Sequence, residues 1–209
     1  MPKGSPELTN ARREEIIDAC AKLYETKPFK EITLGEIGAL TSFTRTSIYN
    51  YFRTKEEIFL ALLEREYAAW NRDLMTLAEE DMSASEFPSR FAAAVEARSC
   101  MLKLLSMNLY DMEAGSSLES LVSFKRTYAR TMDAVSYCLK RHFNMAEEEC
   151  QQFIYALFPF LFGVYPYTAS TPKQLRAMEI AGVRHRKYSV GEITRSLVEK
   201  LVAGFSKGE

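Results

Sequence analysis

Glycine and proline are absent from three long stretches of the chain, residues 39–87, 89–114 and 116–158. These two residues most often interrupt helices and strands, and the alternation of apolar and polar residues that is typical of strands is hard to find in the same stretches. Long segments without breakers or strand alternation favour helices. The chain is therefore predicted to be all-α.

Helix starts are indicated by a residue with a capping side chain that is followed three positions later by Glu. In such a capping box the first side chain accepts a backbone N–H, and the Glu reaches back to the N–H of the capping residue. The pairs are Thr33/Glu36, Thr54/Glu57, Ser83/Glu86, Ser116/Glu119, Asn144/Glu147 and Ser189/Glu192. With the apolar periodicity they predict helices at residues 11–24, 34–40, 45–52, 55 to about 78, 85–98, 101–112, 118–143, 145–162, 173–181 and 190–205.

The overall charge excludes a protein that binds nucleic acid through bulk positive charge. The net charge is −1 at pH 7, so any affinity for a polyanion has to come from a local basic surface. The first ten residues, MPKGSPELTN, lack the apolar run of a secretory signal, which predicts a cytoplasmic protein. The 4 cysteines and 2 histidines show no metal-ligand spacing, and we expect reduced thiols, no metal and no cofactor.

Residues 151–172 carry no charge and are nearly long enough to cross a bilayer. Pro159, Gly163 and Pro166 interrupt the segment, and several tyrosines make it less apolar. We therefore expect a helix buried in the core or in a subunit interface and no membrane partner.

The local basic surface is predicted in the stretch TSFTRTSIYNYFRTKEE, residues 41–57. From residue 41 to residue 55 the only charged side chains are Arg45, Arg53 and Lys55, all of them cations. Ile48 and Phe52 are four residues apart and would anchor a short helix to the core. The remaining residues are of types that donate hydrogen bonds to phosphates or contact base edges: Thr44, Arg45, Thr46, Ser47, Tyr49, Asn50 and Tyr51.

These residues also resemble a known family. The run ITLGEIGALTSFTRTSIYNYFRTKEEIFLALL is similar to the N-terminal DNA-binding domain of the TetR family of transcriptional repressors, including its Tyr-x-[His/Tyr]-Phe-x-x-Lys signature. The resemblance implies a three-helix helix-turn-helix domain at residues 1–55 whose third helix reads the major groove. By the same resemblance Thr33 and Thr44 meet phosphates, whereas Arg45, Thr46, Ser47 and Tyr49 face the bases. Tyr51 and Lys55 would clamp the backbone at the start of the fourth helix.

Two positions depart from the family pattern. Ser42 and Thr46 stand where glycine is usual in the turn and frequent in the reading helix. The first departure raises the cost of a turn with positive φ, and the second changes which bases are approached. The operator sequence therefore cannot be taken from relatives.

For residues 56–209 the resemblance implies an α-helical ligand-binding and dimerisation domain that the long fourth helix joins to the DNA-binding domain. The partners it implies are a pseudo-palindromic DNA operator, an unidentified small-molecule effector and a second copy of the chain. The candidate lining of an apolar pocket is Trp70, Phe91, Met101, Met107, Asn108, Tyr110, Phe124, Tyr128 and Phe158. The candidate dimer interface is Phe153, Leu157, Phe160, Leu161, Ile193, Leu197 and Leu201.

We interpret the chain as a ligand-responsive repressor in which the fourth helix transmits the effect of the ligand. One alternative is a DNA-binding regulator without a small-molecule ligand that recruits a protein partner. A second is an all-α enzyme or ligand carrier in which the helix-turn-helix is incidental. No Ser/His/Asp, Cys/His or glycine-rich phosphate-loop pattern is present in the sequence, so we expect no enzymatic activity.

Overall fold

The computed structural model describes residues 5–205, apart from the side chains of Arg45 and Met107, so predictions that concern those two side chains lie outside the described part. Every regular element in this part is helical, which confirms the all-α prediction. The α-helices are α1 (Pro6–Thr26), α2 (Leu34–Ala39), α3 (Arg45–Ile48), α4 (Lys55–Glu79), α5 (Phe87–Glu96), α6 (Ser99–Ala114), α7 (Leu118–Phe143), α8 (Glu147–Thr168), α9 (Pro172–Ile180) and α10 (Val190–Phe205). A 3-10 turn, Phe29–Glu31, lies between α1 and α2.

Three helices differ most from their predicted bounds. α1 begins five residues earlier than predicted, because the Ser5 hydroxyl accepts the N–H of Leu8 and Pro6 occupies the first helical position. α8 continues to Thr168 through Pro159 and Pro166, and its buried apolar side chains stabilise this extension. α3 is only one turn long, since tight turns replace the helix after Ile48.

The capping boxes were predicted correctly at some positions and wrongly at others. The Thr33/Glu36 and Ser189/Glu192 boxes are present in the structure, and Glu86 accepts the N–H of Ser83. Ser116/Glu119 is wrong because the Ser117 hydroxyl accepts the Ser120 N–H at the start of α7. Asn144/Glu147 is also wrong. Asn144 has a φ of 53° and follows the end of α7, while Glu149 accepts the N–H of Ala146 at the start of α8.

The described chain forms two compact units. Their division does not follow a single boundary after residue 55, which is where the sequence placed it. The head unit contains the chain up to Glu66 together with Asn108–Thr127, and the body unit contains Tyr67–Met107 and the chain from Tyr128 onwards. Helices α4, α6 and α7 therefore each contribute residues to both units.

The core of the head unit is formed by apolar side chains of α1 to α4. Ile48 and Phe52 are 0% and 2% exposed, as their spacing predicted. Phe59 of α4 makes edge contacts with the rings of Tyr24, at 5.2 Å between centroids, and Phe29, at 4.7 Å. Burial of these large side chains holds the short helices α2 and α3 against α1 and α4.

In the body unit α10 packs against α5 and α8. The backbone N–H of Gly191, in the first turn of α10, donates a hydrogen bond of 2.9 Å to Glu96 Oε1 at the end of α5. A side chain at Gly191 would have no room, because a Cβ atom there would lie 2.6 Å from Glu96 Oε2. The glycine therefore lets a carboxylate approach the positive end of α10.

No single helix in the described residues is long and apolar enough to cross a membrane. Helices α8 and α9 meet that length and composition only as a pair, and they are bent by 81° at the break between them.

Candidate nucleic-acid interface

The turn between α2 and α3 is held by side chains rather than by a strained backbone. The Thr41 hydroxyl is 2.9 Å from the carbonyl of Gly38 and 3.0 Å from that of Phe43. Glu15 of α1 accepts hydrogen bonds from the Ser42 N–H and, at 3.0 Å, from the Ser42 hydroxyl. In the described residues positive φ occurs only at Asn144 and Gly182, so the expected backbone cost at Ser42 is absent.

Helix α3 and the turn that follows it place one apolar side chain inwards and several polar ones outwards. Ile48 is fully buried, whereas Thr46, Tyr49 and Asn50 are exposed, with Tyr49 at 50%. The hydroxyls of Thr44 and Ser47 lie 3.0 Å apart at the start of the helix. The outward side chains therefore offer hydrogen-bond donors and an aromatic ring to a partner, in agreement with the types that the sequence singled out.

Arg12 and Arg13 of α1 also contact the segment that follows α3, and no local sequence pattern indicated this. Arg13 Nη1 donates to the Tyr51 carbonyl at 2.8 Å, and its guanidinium lies 4.3 Å from the Phe52 ring centroid. Arg12 Nη1 lies 3.4 Å from the Tyr51 hydroxyl. Arg13 thus supports the backbone, and Arg12 adds a half-buried cation beside Tyr51.

Lys55 was predicted to contact a phosphate of DNA, but its ammonium has hydrogen-bond acceptors within the head unit. Its ammonium donates to the carbonyls of Phe29, at 2.8 Å, and Ile32, at 3.0 Å, and lies 4.1 Å from the Phe29 ring centroid. These carbonyls belong to the turn before α2. In this arrangement Lys55 positions the start of α4 relative to that turn.

Thr33, the other predicted phosphate contact outside α3, forms the capping box of α2. Its hydroxyl accepts the Glu36 N–H at 3.2 Å and donates to the Glu36 carboxylate at 3.0 Å. The Lys27 ammonium, 2.6 Å from that carboxylate, together with the Thr33 hydrogen bonds, lowers the pKa of Glu36 to about 2. Thr33 is exposed, so its side chain lies on the surface at the N-terminus of α2.

The residues predicted to line a ligand pocket are distributed over both units. Trp70, Phe91, Met101 and Phe158 are buried in the body unit, where Trp70 is 6.2 Å from both Phe91 and Phe158 between ring centroids. Tyr128, also in the body unit, lies 5.2 Å from Phe158.

The other predicted pocket residues belong to the head unit. Phe124 is buried there, and Asn108 donates a hydrogen bond of 2.9 Å to the Tyr24 hydroxyl. Tyr110 is 86% exposed, so its predicted place in the lining of a cavity is corrected. Periodicity could not separate these residues because they lie on helices that enter both units.

The buried polar atoms of α4 without a hydrogen-bond partner in the described part of the chain include Nε1 of Trp70, whose side chain is fully buried, and Oδ1 of Asn71. A buried donor or acceptor without a partner costs roughly 1–3 kcal/mol. The body unit therefore keeps an unused donor beside a cluster of aromatic rings.

The residues predicted to form the dimer interface differ in how far their side chains are buried. Phe153, Leu157 and Leu161 are fully buried within the body unit, so their side chains are not available to a second copy, which corrects that part of the prediction. Phe160, Ile193, Leu197 and Leu201 are partly exposed. The α8/α10 face, as we call the surface around them, contains a groove of about 290 Å³ lined by Phe160, Gly163, Val164, Tyr167 and Ile193.

Two family models match the chain and together cover nearly all of its described length. One, described as tetracyclin repressor-like, C-terminal domain, matches residues 64–209, and the other, described as bacterial regulatory proteins, tetR family, matches residues 16–62.

Curated relatives match over a short region. An uncharacterized HTH-type transcriptional regulator, YfiR of Bacillus subtilis (strain 168), is 30% identical over 63 residues, which are 30% of this chain and 31% of that protein. The nucleoid occlusion factor SlmA of Idiomarina loihiensis is 36% identical over 53 residues, 25% of this chain and 27% of that protein. The chain thus matches less than a third of the length of either relative.

Solved structures are similar over nearly the whole chain at low identity. The fatty acid degradation regulator FadR from Bacillus halodurans has a TM-score of 0.61 and 13% identity, with 96% of each chain covered. FadR from Bacillus subtilis, solved in complex with stearoyl-CoA, has a TM-score of 0.60 and 15% identity, covering 91% of this chain and 98% of that one. The reduced form of NemR from E. coli has a TM-score of 0.56 and 20% identity, covering 91% and 97%.

Proposed function

The chain belongs to the TetR family of bacterial transcriptional regulators, and on that premise we propose that it is a homodimeric repressor which a small, largely apolar molecule releases from a pseudo-palindromic operator. The observation that carries the DNA-binding part is the exposed Thr46 on α3, with exposed Tyr49 and Asn50 in the turn directly after it, in a segment held to the core by Ile48. Because the proposed partner is DNA, the proposal includes a cytoplasmic location.

In this proposal α3 and the turn after it read the bases, and the flanking groups bind the DNA backbone. Tyr49 and Asn50 are exposed polar side chains directly after α3. Arg12, beside Tyr51, supplies a cation for a phosphate, while exposed Arg53 supplies another. Lys55 keeps its hydrogen bonds to the two carbonyls in the DNA complex, and it contributes to DNA binding only by stabilising the head unit.

The ligand part rests on the body unit. Trp70 places an unused N–H donor among the rings of Phe91 and Phe158, and an apolar molecule with one hydrogen-bond acceptor would satisfy that donor on binding. The stearoyl-CoA bound by FadR from Bacillus subtilis makes long-chain acyl compounds the first ones to test. A ligand of this kind acts only if it binds the released state more tightly than the operator-bound state.

The dimer part rests on the α8/α10 face. Phe160, Val164 and Ile193 line its groove. A second groove, of about 390 Å³, shares Phe160 and Ile193 with it and is also lined by Leu197, Glu192 and Lys200. A second copy of the same face would cover these side chains in a two-fold arrangement. Two α3 helices would then read the two halves of a palindrome.

The test is selection of DNA sites by the purified protein from a random library, followed by titration of the selected duplex at two salt concentrations. Tyr49→Ala and Asn50→Ala are each expected to cost about 1–3 kcal/mol of specific binding and to relax the preference at one base position. Tyr110→Ala is the matched control, because Tyr110 is exposed but lies on α6. Unchanged sequence preference in both the Tyr49→Ala and the Asn50→Ala variant would contradict the assignment of α3 and the turn after it as the base-reading segment.

Stearoyl-CoA, palmitic acid and a short aromatic acid are then added to the complex with the selected duplex. Release of the protein from the duplex by one of these compounds would support the ligand part. The Tyr110→Ala control is expected to be released at the same concentrations as the wild type. Because the chain has 1 Trp, binding to the free protein can be followed directly by the emission of Trp70. A complex that none of these compounds alters, with unchanged emission, would favour the regulator that recruits a protein partner.

A further inference from the structure

A buried carboxylate lies in the first turn of α4. Glu57 is 5% exposed and accepts three hydrogen bonds from groups that carry no charge. The donors are the Arg53 N–H at 2.7 Å, the Ser117 N–H at 3.1 Å and the Ser120 hydroxyl at 3.4 Å. Arg53 precedes α4, whereas Ser117 and Ser120 lie at the start of α7. One side chain thus caps the N-terminal ends of two helices that are far apart in the sequence.

The charge of Glu57 is suited to this position. Burial alone raises the pKa of its carboxyl, but the hydrogen bonds from Ser117, Arg53 and Ser120 outweigh that effect and lower the pKa below its ordinary value. The group is therefore ionised at neutral pH, and its negative charge meets the positive ends of α4 and α7. Hydrogen bonds to an ionised group are about twice as strong as those between neutral groups.

The turn between α6 and α7 fits closely against the same end of α4. The Thr54 hydroxyl donates a hydrogen bond of 3.0 Å to the carbonyl of Gly115. A Cβ atom at Gly115 would lie 2.5 Å from Cγ of Glu56, so the backbone of the turn and the side chain of α4 are already in contact. A turn packed in this way cannot slide along α4 without breaking the hydrogen bonds to Glu57.

The same pairing of α4 with α7 continues two turns further along both helices. Glu64 accepts hydrogen bonds from the hydroxyls of Ser123, at 2.9 Å, and Thr127, at 3.1 Å. All of these groups belong to the head unit. The head unit is therefore completed by the end of α6 and the start of α7, although both helices continue into the body unit.

We infer that Glu57 is the positioning group through which DNA binding by the head unit further stabilises the α6–α7 turn, and through which movement of that turn changes the affinity of the head unit for DNA. The inference rests on the proposed DNA-binding function. It differs from transmission by α4 alone, because the α6–α7 turn is a second covalent route between the two units. The effect is reciprocal by thermodynamic necessity, so DNA can serve as the probe without knowledge of the effector.

The experiment compares amide hydrogen exchange of the full chain with and without the selected operator duplex. In the wild type the duplex is expected to slow exchange of the amides at residues 115–121 by about fivefold or more. In Glu57→Gln, which keeps the shape but removes the charge, that slowing is expected to fall below about twofold, while the duplex still protects α3. Glu119→Gln is the matched control, since Glu119 lies in the first turn of α7 but is exposed.

A second variant guards against loss of folding. Ser120→Ala removes one donor to Glu57 and leaves the sequence of the first four helices unchanged, so we expect a partial loss of the protection at residues 115–121. Protection in Glu57→Gln and Ser120→Ala equal to that of the wild type would overturn the inference and leave the proposed function intact. Failure of the wild type to select any duplex would contradict both.

Discussion

Side chains of the same chemical type have different roles within a few residues of each other in the head unit. Thr33 caps α2 and Thr41 ties the turn, whereas Thr46 is exposed on α3. Lys55 donates to two carbonyls, whereas Arg53 is exposed. A residue type that can bind phosphate can equally satisfy a backbone carbonyl, and only the positions of neighbouring backbone groups decide which it does.

Lys55 and Arg53 provide a test of this difference through the salt dependence of DNA binding. A lysine that contacts a phosphate contributes about 0.9 to the slope of log affinity against log salt concentration. We expect Lys55→Met to leave the slope unchanged and to lower the free energy of unfolding by about 1–2 kcal/mol, because the Phe29 and Ile32 carbonyls lose a charged donor.

Arg53→Met is the matched variant because Arg53 is an exposed cation two residues earlier in the chain. It is expected to reduce the slope by about 0.9 with little effect on unfolding. Binding isotherms at four salt concentrations and urea unfolding of each variant supply both quantities. A reduced slope in Lys55→Met would show that its ammonium leaves the carbonyls for a phosphate.

At the scale of elements, periodicity and caps predicted which segments are helical, and neighbouring segments decided where several helices end. α7 and α10 have the predicted bounds because both have strong apolar periodicity, and α10 also has its predicted capping box. α8 passes through Pro159 and Pro166 because its buried face outweighs the local cost of the prolines. The start of α10 depends on Glu96, a residue of α5 that local sequence rules do not connect with it.

Gly191 and Gly204 both lie on α10, and their substitution measures how far the start of α10 depends on Glu96. Gly191→Ala is expected to lower the free energy of unfolding by about 0.5–1.5 kcal/mol, since the added methyl group displaces the Glu96 carboxylate from the Gly191 N–H. Gly204→Ala meets no atom within 4 Å and is expected to raise it by about 0.4–1 kcal/mol, because alanine favours the helix.

Urea unfolding of both variants and of the wild type, monitored by Trp70 emission and circular dichroism, tests this pair. Equal stabilisation by the two alanines would show that the Glu96 contact contributes nothing to the start of α10.

At the scale of the whole molecule, the α8/α10 face leaves apolar side chains partly exposed, and the proposed dimer would cover them. Phe160 and Ile193 line both grooves of that face, and a charge at either position would be buried in the proposed dimer. We expect Phe160→Arg to halve the molar mass measured by light scattering and to reduce operator affinity by at least about tenfold, because an unpaired buried charge is costly.

Tyr110→Arg introduces the same charge at a side chain that is 86% exposed on α6, and it should leave the molar mass unchanged. The measurement is made at two protein concentrations for the wild type and both variants. A wild type with the mass of a single 23.9 kDa chain at both concentrations would contradict the dimer proposal and, with it, the reading of a palindrome.

The sequence by itself determined the all-helical class, most of the helices and the exposed polar surface of α3, because these depend on local propensity, capping and the spacing of Ile48 and Phe52. Only the tertiary structure decided that Arg12 lies beside Tyr51, that Lys55 binds carbonyls and that Phe153 is buried inside the chain. It also placed the α6–α7 turn in the head unit, against Glu57. These are contacts between residues far apart in the sequence, and their energies depend on distances that no local pattern fixes.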